Sequence, residues 1–180
     1  ARHLVDKYDI LRVKSQPNMD QAQARKFYHY VESLKKEKTR LNNQLEKLVY
    51  DAFPEVISYM KNGMPVWLLM LLNKYPGSGW VDRAHVSSLL KIKGITAQKA
   101  NTLKTKAKHS VGQKGDPLLS RAIQGMTSRI LKLKATIKRE KVYLENHYTS
   151  KEVELLEQIK GVGSYSAIGA MMEIEQVDKY

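Results

Sequence analysis

Two glycines near the end of the chain belong to the pattern with the clearest chemistry. Gly161-Val162-Gly163 follows two apolar residues spaced three apart, Leu156 and Ile159, and Ala167 lies four residues after the second glycine. Glycine tolerates positive φ and places no Cβ between the backbone and a ligand. A helix that begins after such a turn offers unpaired N–H groups and the positive end of its dipole to an anion. The pattern is typical of a helix-hairpin-helix and predicts a phosphate contact. The residues predicted to make this contact are Lys160, Gly161, Val162, Gly163 and Ser164.

The same pattern occurs 67 residues earlier, with Gly94 in the place of Gly161 and Thr96 in the place of Gly163. Threonine is less permissive than glycine in a turn, but it is a good N-cap residue. This copy lies in the stretch 83–114, which contains 8 basic residues and no acidic residue. Such a stretch favours a polyanionic partner. The residues predicted to contact nucleic acid here are Lys91, Lys93, Gly94, Thr96, Lys99, Lys104, Lys106 and Lys108.

For both turns, the alternative is an ordinary helical corner. In that interpretation the glycines serve close packing and the lysines are solvated. The charge distribution separates the two copies, because residues 151–180 contain 3 basic and 6 acidic residues. The first copy is therefore the better nucleic-acid binder by charge, although its turn contains only one glycine.

The net charge of the whole chain also favours a polyanionic partner. Its 180 residues contain 31 Lys and Arg against 18 Asp and Glu, for a net charge of +13. Nucleic acid is the expected partner and an anionic membrane surface a less frequent one. The longest apolar run, Val66 to Leu72, is too short to span a bilayer. There is no cysteine, which excludes disulfides and cysteine-based sites and fits a cytoplasmic protein.

Patterns for catalysis or metal binding are missing from this sequence. The five histidines lack the i, i+4 spacing of metal ligands, and there is no Gly-x-x-x-x-Gly-Lys-Ser/Thr loop. No serine or tyrosine has a recognisable activating base. We therefore predict a binding and assembly segment with neither catalytic nor metal-ligating residues.

Two long helices must position the two turns. The first is predicted to begin after Asn18 or Asp20 and to end at Pro54. The second is predicted from Asp116 to Tyr148, with Pro117 as its first residue. Apolar residues along both helices are spaced alternately four and three apart, which is the heptad seam of a coiled coil. The seam residues, predicted to mediate dimerisation, are Phe27, Val31, Leu34, Leu41, Leu45, Leu48, Leu119, Ile123, Met126, Ile130, Leu133, Ile137 and Leu144.

These elements predict an all-α fold. Two long antiparallel coiled-coil helices are expected to flank a compact helical insert, and a helix-hairpin-helix is expected to follow them. The predicted domains are residues 1–17, residues 18–150 with the basic insert at 53–115, and residues 151–180. The seams fit pairing within one chain as well as pairing between two chains, and we predict a homodimer.

The order of these features resembles insertion-sequence transposases of the DEDD class, relatives of the Piv DNA invertases. The segment from Gln158 to Tyr180 looks like the opening of the second domain of that family. Leu71 to Pro76 looks like an element of its linker, and Ala1 to Leu4, soon followed by Pro17, looks like the tail of its RuvC-like nuclease domain. The resemblance covers nearly the whole chain, and its ends are more specific than its middle.

The resemblance implies the central fragment of a transposase, which dimerises and binds nucleic acid during DNA transposition. The four acidic residues of the family would lie before Ala1 and its catalytic serine after Tyr180, so no catalytic residue is assigned here. Magnesium is expected for the full-length protein and no cofactor for this fragment. The implied partners are DNA and, as in some relatives, a structured guide RNA. The implied location is the cytoplasm of a bacterium or archaeon.

Two other classes of protein fit the same residues. One is a self-contained helix-hairpin-helix module that binds DNA as a repair or junction-binding accessory protein. The other is a coiled-coil assembly domain whose positive charge only keeps it soluble.

Overall fold

The computed structural model describes residues 19–60 and 63–174, and these residues form an all-helical fold without strands. The predicted fold class is thus confirmed. The predicted nuclease tail at 1–17 and the last residues of the predicted C-terminal domain, 175–180, lie outside the described residues. The helices are α1 (Gln21–Ala52), a 3₁₀ helix (Pro54–Tyr59), α2 (Val66–Lys74), α3 (Ser78–Arg83), α4 (Val86–Leu90), α5 (Ala97–Lys108), α6 (Pro117–His147), α7 (Lys151–Glu157) and α8 (Ser164–Ile174).

Local capping explains where the long helices begin. Asp20 Oδ1 accepts a hydrogen bond from the Gln23 amide at 2.8 Å, and Gln23 Oε1 accepts one from the Asp20 amide at 3.2 Å. This reciprocal pair is a capping box. At the start of α6, Asp116 Oδ1 accepts from the Leu118 amide at 2.8 Å, with Pro117 as the first helical residue. Of the two caps predicted for α1, Asp20 is confirmed and Asn18 lies outside the described residues, and the cap predicted at Asp116 is confirmed as well.

The chain divides into two compact units, and the divisions fall within α1 and α6. The central unit comprises residues 36–135. The terminal unit comprises residues 1–35 and 136–180, of which 19–35 and 136–174 are described. The domain boundaries predicted from the sequence stay a prediction.

The central unit has a hydrophobic core built around α2. Four residues of this short helix are fully buried, which agrees with its almost wholly apolar sequence. Side chains from α1, the 3₁₀ helix, α3, α4, α5 and α6, and from the residues between them, complete the core. The largest of these buried side chains are Leu45, Phe53, Leu89, Leu103, Ile123 and Ile130.

The terminal unit has its own buried side chains. Val153 on α7 and Tyr165, Ile168 and Met172 on α8 are buried. Near the ends of the long helices, the rings of Phe27 and Tyr143 lie 5.4 Å apart.

The heptad seams are largely covered within a single chain. In the central unit, Arg129 of α6 pairs with Glu37 of α1 at 2.6 Å. Seven seam residues are buried, namely Val31, Leu41, Leu45, Ile123, Ile130, Ile137 and Leu144. Six are half-buried, namely Phe27, Leu34, Leu48, Leu119, Met126 and Leu133. Coiled-coil packing and the homodimer stay predictions. Among the described residues, no helix is both long and apolar enough to cross a membrane.

Candidate nucleic-acid interface

The two turns found in the sequence have the same backbone structure. We call residues 86–108 of the central unit the Gly94 hairpin and residues 151–174 of the terminal unit the Gly161 hairpin. Both turn glycines have positive φ, +94° at Gly94 and +95° at Gly161. The amide of Ile92 bonds to a carbonyl three residues back at 3.0 Å, and the amide of Ile159 does so at 3.1 Å. The sequence repeat is therefore a repeat of structure.

Packing fixes the Gly94 turn within the central unit. A Cβ at Gly94 would lie 3.1 Å from Trp67 Cβ, which is a tight contact, and the positive φ of this residue favours glycine. Several apolar residues of the hairpin are buried, and Leu89, Ala100, Leu103 and Ala107 are fully so, whereas Leu90 is exposed. The hairpin therefore turns its apolar side to the core and leaves its polar side for solvent or a ligand.

Thr96 and Lys99 stabilise the turn. Thr96 caps α5 by accepting a hydrogen bond from the Lys99 amide at 3.3 Å. Lys99 Nζ donates to the Gly94 carbonyl at 2.9 Å and lies 4.5 Å from the centre of the Trp67 ring. Thr96 thus acts as the predicted N-cap, and the charge of Lys99 is held beside the turn.

Lys104 and Lys106 form hydrogen bonds to backbone carbonyls within the central unit. Lys104 Nζ donates to the carbonyls of Asp82 and Ala84, at the C-terminal end of α3. A lysine at this place satisfies carbonyls that the helix leaves unpaired. Lys106 Nζ donates to the Glu55 carbonyl at 3.1 Å. Both ammonium groups therefore have structural partners that the sequence did not indicate.

Three lysines of the predicted set are exposed. Lys91 and Lys93 precede the turn glycine, and Lys108 ends α5. Within residues 19–60 and 63–174, none of the three forms an ion pair. Because the stretch 83–114 contains no carboxylate, the positive charge of these three lysines is available to an anion.

Glu55 is a structural neighbour of the hairpin that the sequence did not indicate. Its carboxylate accepts hydrogen bonds from Ser110 Oγ at 2.7 Å and from the Val111 amide at 3.0 Å. Burial alone would raise the pKa of Glu55, but these hydrogen bonds and the charge of Lys106 outweigh it and lower the pKa. Glu55 thus ties the loop after α5 to the 3₁₀ helix. A separation of 55 residues along the chain gives no sequence signal for this contact.

The Gly161 turn is open where the Gly94 turn is packed. A Cβ at Gly161 or at Gly163 would meet no atom within 4 Å. Lys160 is exposed, while Val162 and Ser164 are half-buried. The backbone of this turn is accessible, but the acidic composition of 151–180 works against an anion. The Gly94 hairpin therefore has the positive charge, whereas the Gly161 hairpin has the accessible turn backbone.

A polar cluster in the terminal unit surrounds Tyr165. Its hydroxyl donates to Glu32 Oε1 at 2.7 Å, and Lys35 Nζ lies 2.6 Å from the same oxygen. Lys141 Nζ lies 4.1 Å from the centre of the Tyr165 ring. Burial, followed by the hydrogen bond to Glu32, raises the pKa of Tyr165. This shift keeps the phenol neutral, whereas a nucleophile needs a lowered pKa. We assign the cluster to holding α8 in place.

In the part of the chain that the structure describes, no three His, Cys, Asp or Glu side chains are grouped so that they could hold a metal ion. No protein-family model matches the chain, and no curated protein matches it either.

Proposed function

We propose that this chain binds the phosphate backbone of nucleic acid, without reading its sequence, through the Gly94 hairpin. One observation carries the proposal: a helix-hairpin-helix turn with positive φ lies within an acid-free stretch and has exposed lysines at Lys91, Lys93 and Lys108. Positive side chains and the N-terminal amides of α5 suit phosphate contacts, which position a duplex and carry no sequence information.

The exposed lysines define a test by charge reversal. We expect the triple variant Lys91→Glu, Lys93→Glu and Lys108→Glu to lose most of its affinity for a labelled duplex, measured by fluorescence anisotropy. The slope of log affinity against log salt should fall by about 2–3, since each phosphate contact contributes about 1. Lys104 and Lys106 stay unchanged, because reversing them would also break the contacts that hold α3 and the 3₁₀ helix.

A control variant separates a local interface from general charge. Lys47→Glu, Lys132→Glu and Lys138→Glu change the net charge by the same amount at exposed positions on the long helices. This control should keep most of the affinity. Equal losses in both triple variants, or no loss in either, would contradict the assignment to the Gly94 hairpin.

We also propose that the chain is the middle segment of a DEDD-class transposase. The likeness of the segment from Gln158 to Tyr180 to the opening of that family's second domain supports this proposal. The gene sequence on both sides tests it. Acidic nuclease motifs should precede the segment and a serine motif should follow it, and their absence would leave a self-contained binding module. Anisotropy with a DNA duplex and with an RNA hairpin, measured at one salt concentration, identifies the preferred partner.

A further inference from the structure

A second basic feature of the central unit lies outside the Gly94 hairpin. Lys38 on α1 and Lys134 on α6 line one pocket of 370 Å³, together with Asn42, Tyr59 and Met64. The two lysines are separated by 96 positions in the sequence, and neither belongs to the basic stretch 83–114. The fold therefore brings together two positive charges that composition alone does not connect.

The nearby carboxylates do not neutralise these lysines. Glu37 is paired with Arg129 at 2.6 Å. Glu46 lines an adjoining pocket that shares Lys38 but does not include Lys134. Within the described ranges, neither Lys38 nor Lys134 forms an ion pair. Among the described residues, two lysines and no carboxylate line this pocket.

This arrangement is electrostatically unfavourable when the pocket holds no anion. Lys134 Nζ donates to the Met64 carbonyl at 3.2 Å, which holds it against the unit. Burial, and then the charge of Lys38, lowers the pKa of Lys134. Both effects disfavour the charged form of Lys134. An anion between the two lysines would offset the penalty.

Asn42 lines the same pocket and has one polar atom without a partner. Its Oδ1 is buried and has no hydrogen-bond partner among the described residues. Buried polar atoms in folded proteins almost always have a partner, which is often a ligand or an ordered water. This oxygen is buried, so we assign to Asn42 only a place in the pocket lining beside the two lysines.

We propose that this pocket binds a phosphate group between Lys38 and Lys134. The phosphate can be free inorganic phosphate or a phosphodiester of bound nucleic acid. Tyr59 favours the second source, because its ring lies 5.3 Å from the ring of Trp67, and Trp67 packs against Gly94. Tyr59 of the pocket lining thus contacts the tryptophan that packs against the Gly94 turn, which connects the pocket to the proposed nucleic-acid interface.

Thermal unfolding tests the pocket with inorganic phosphate at constant ionic strength, with chloride as the reference anion. The unmutated chain should gain about 2–4 °C in Tm when phosphate exceeds its dissociation constant about fivefold. Lys38→Met should lose this gain. The same variant should unfold no earlier than the unmutated chain in chloride, because the repulsion is gone. Lys134→Met should also lose the gain.

Matched controls come from the same two helices. Lys36→Met and Lys132→Met each remove one exposed charge, and both should retain the phosphate response. The proposal is overturned if the unmutated chain shows no gain over chloride, or if Lys38→Met keeps the full gain.

A duplex-binding measurement then distinguishes the two sources. A fivefold or greater loss of duplex affinity in Lys38→Met assigns the site to the nucleic-acid backbone, whereas unchanged affinity with a lost phosphate response assigns it to a free anion. The hairpin variant with Lys91, Lys93 and Lys108 changed to Glu should keep the phosphate response. Failure of the hairpin proposal is therefore visible separately from failure of the pocket.

Discussion

At the scale of single residues, lysines of one basic stretch have two different roles. The ammonium groups of Lys104 and Lys106 donate hydrogen bonds to backbone carbonyls within the central unit. The side chains of Lys91, Lys93 and Lys108 are exposed to solvent. A lysine side chain is long enough to reach a carbonyl on a neighbouring element, so equal composition does not mean equal function. The proposed binding surface is smaller than the basic stretch that predicted it.

Glu55 gives a prediction at the same scale. Its lowered pKa means that the ionised form stabilises the fold fully above the ordinary glutamate pKa of about 4.3. The stabilisation is lost as the pH falls through the lowered pKa. We expect the unmutated chain to lose more stability between pH 6 and pH 3 than Glu55→Gln, measured by urea unfolding. Glu46→Gln, at an exposed glutamate, should behave like the unmutated chain, and an equal loss in all three proteins would refute the role of Glu55.

At the scale of elements, close backbone contacts fix where helices end and loops pass. A Cβ at Gly112 would lie 2.7 Å from the carbonyl carbon and oxygen of Ala52 and 2.9 Å from Pro54 Cδ. The next residue confirms the close approach, because the Gln113 amide donates to the Asp51 carbonyl at 2.7 Å. The loop after α5 is thus packed directly on the end of α1, and backbone atoms there cannot move aside cheaply.

Two glycine substitutions should therefore have opposite effects on stability. Gly112→Ala should lower the free energy of unfolding by about 1–3 kcal/mol, because the added methyl group overpacks the contact. Gly125→Ala, in the middle of α6 with no atom within 4 Å of its Cβ, should raise it by about 0.5–1 kcal/mol through helix propensity. Urea unfolding at neutral pH measures both. A neutral Gly112→Ala would show that the loop relaxes freely.

At the scale of the whole molecule, the heptad seams decide how much apolar surface is left for a second chain. The seven buried seam residues have almost no accessible surface, and only the six half-buried ones can contribute to a contact between chains. An interface through the buried residues would require the single chain to open. The homodimer is therefore a proposal about the half-buried side of the seam.

Sedimentation velocity tests this proposal. We expect a dimer for the unmutated chain, with Leu48→Lys shifting it towards monomer while helical circular dichroism stays the same, because a half-buried lysine can extend its charge to water. Tyr50→Lys, on an exposed side chain of the same helix, is the control and should leave the dimer unchanged. A concentration-independent monomer for the unmutated chain would contradict the homodimer.

The sequence by itself determined the helical fold, the starts of the long helices and the two equivalent hairpins. These features depend on residues close together in the chain: Asp20 and Asp116 cap their own first turns, and Gly94 and Gly161 permit positive φ within their own turns. Local hydrogen bonds and periodicity act over a few residues, so they can be read directly from the sequence.

Only the tertiary structure decided which lysines are exposed and which donate hydrogen bonds to backbone carbonyls of other elements. Lys104 and Lys106 bond to carbonyls 20 to 51 residues away, and Lys134 bonds to one 70 residues away. The pocket formed by Lys38 and Lys134 likewise needs two distant helices to be brought together. Such contacts depend on packing between elements, which residue spacing does not encode, and they separate the exposed lysines of the proposed interface from those that hold the fold.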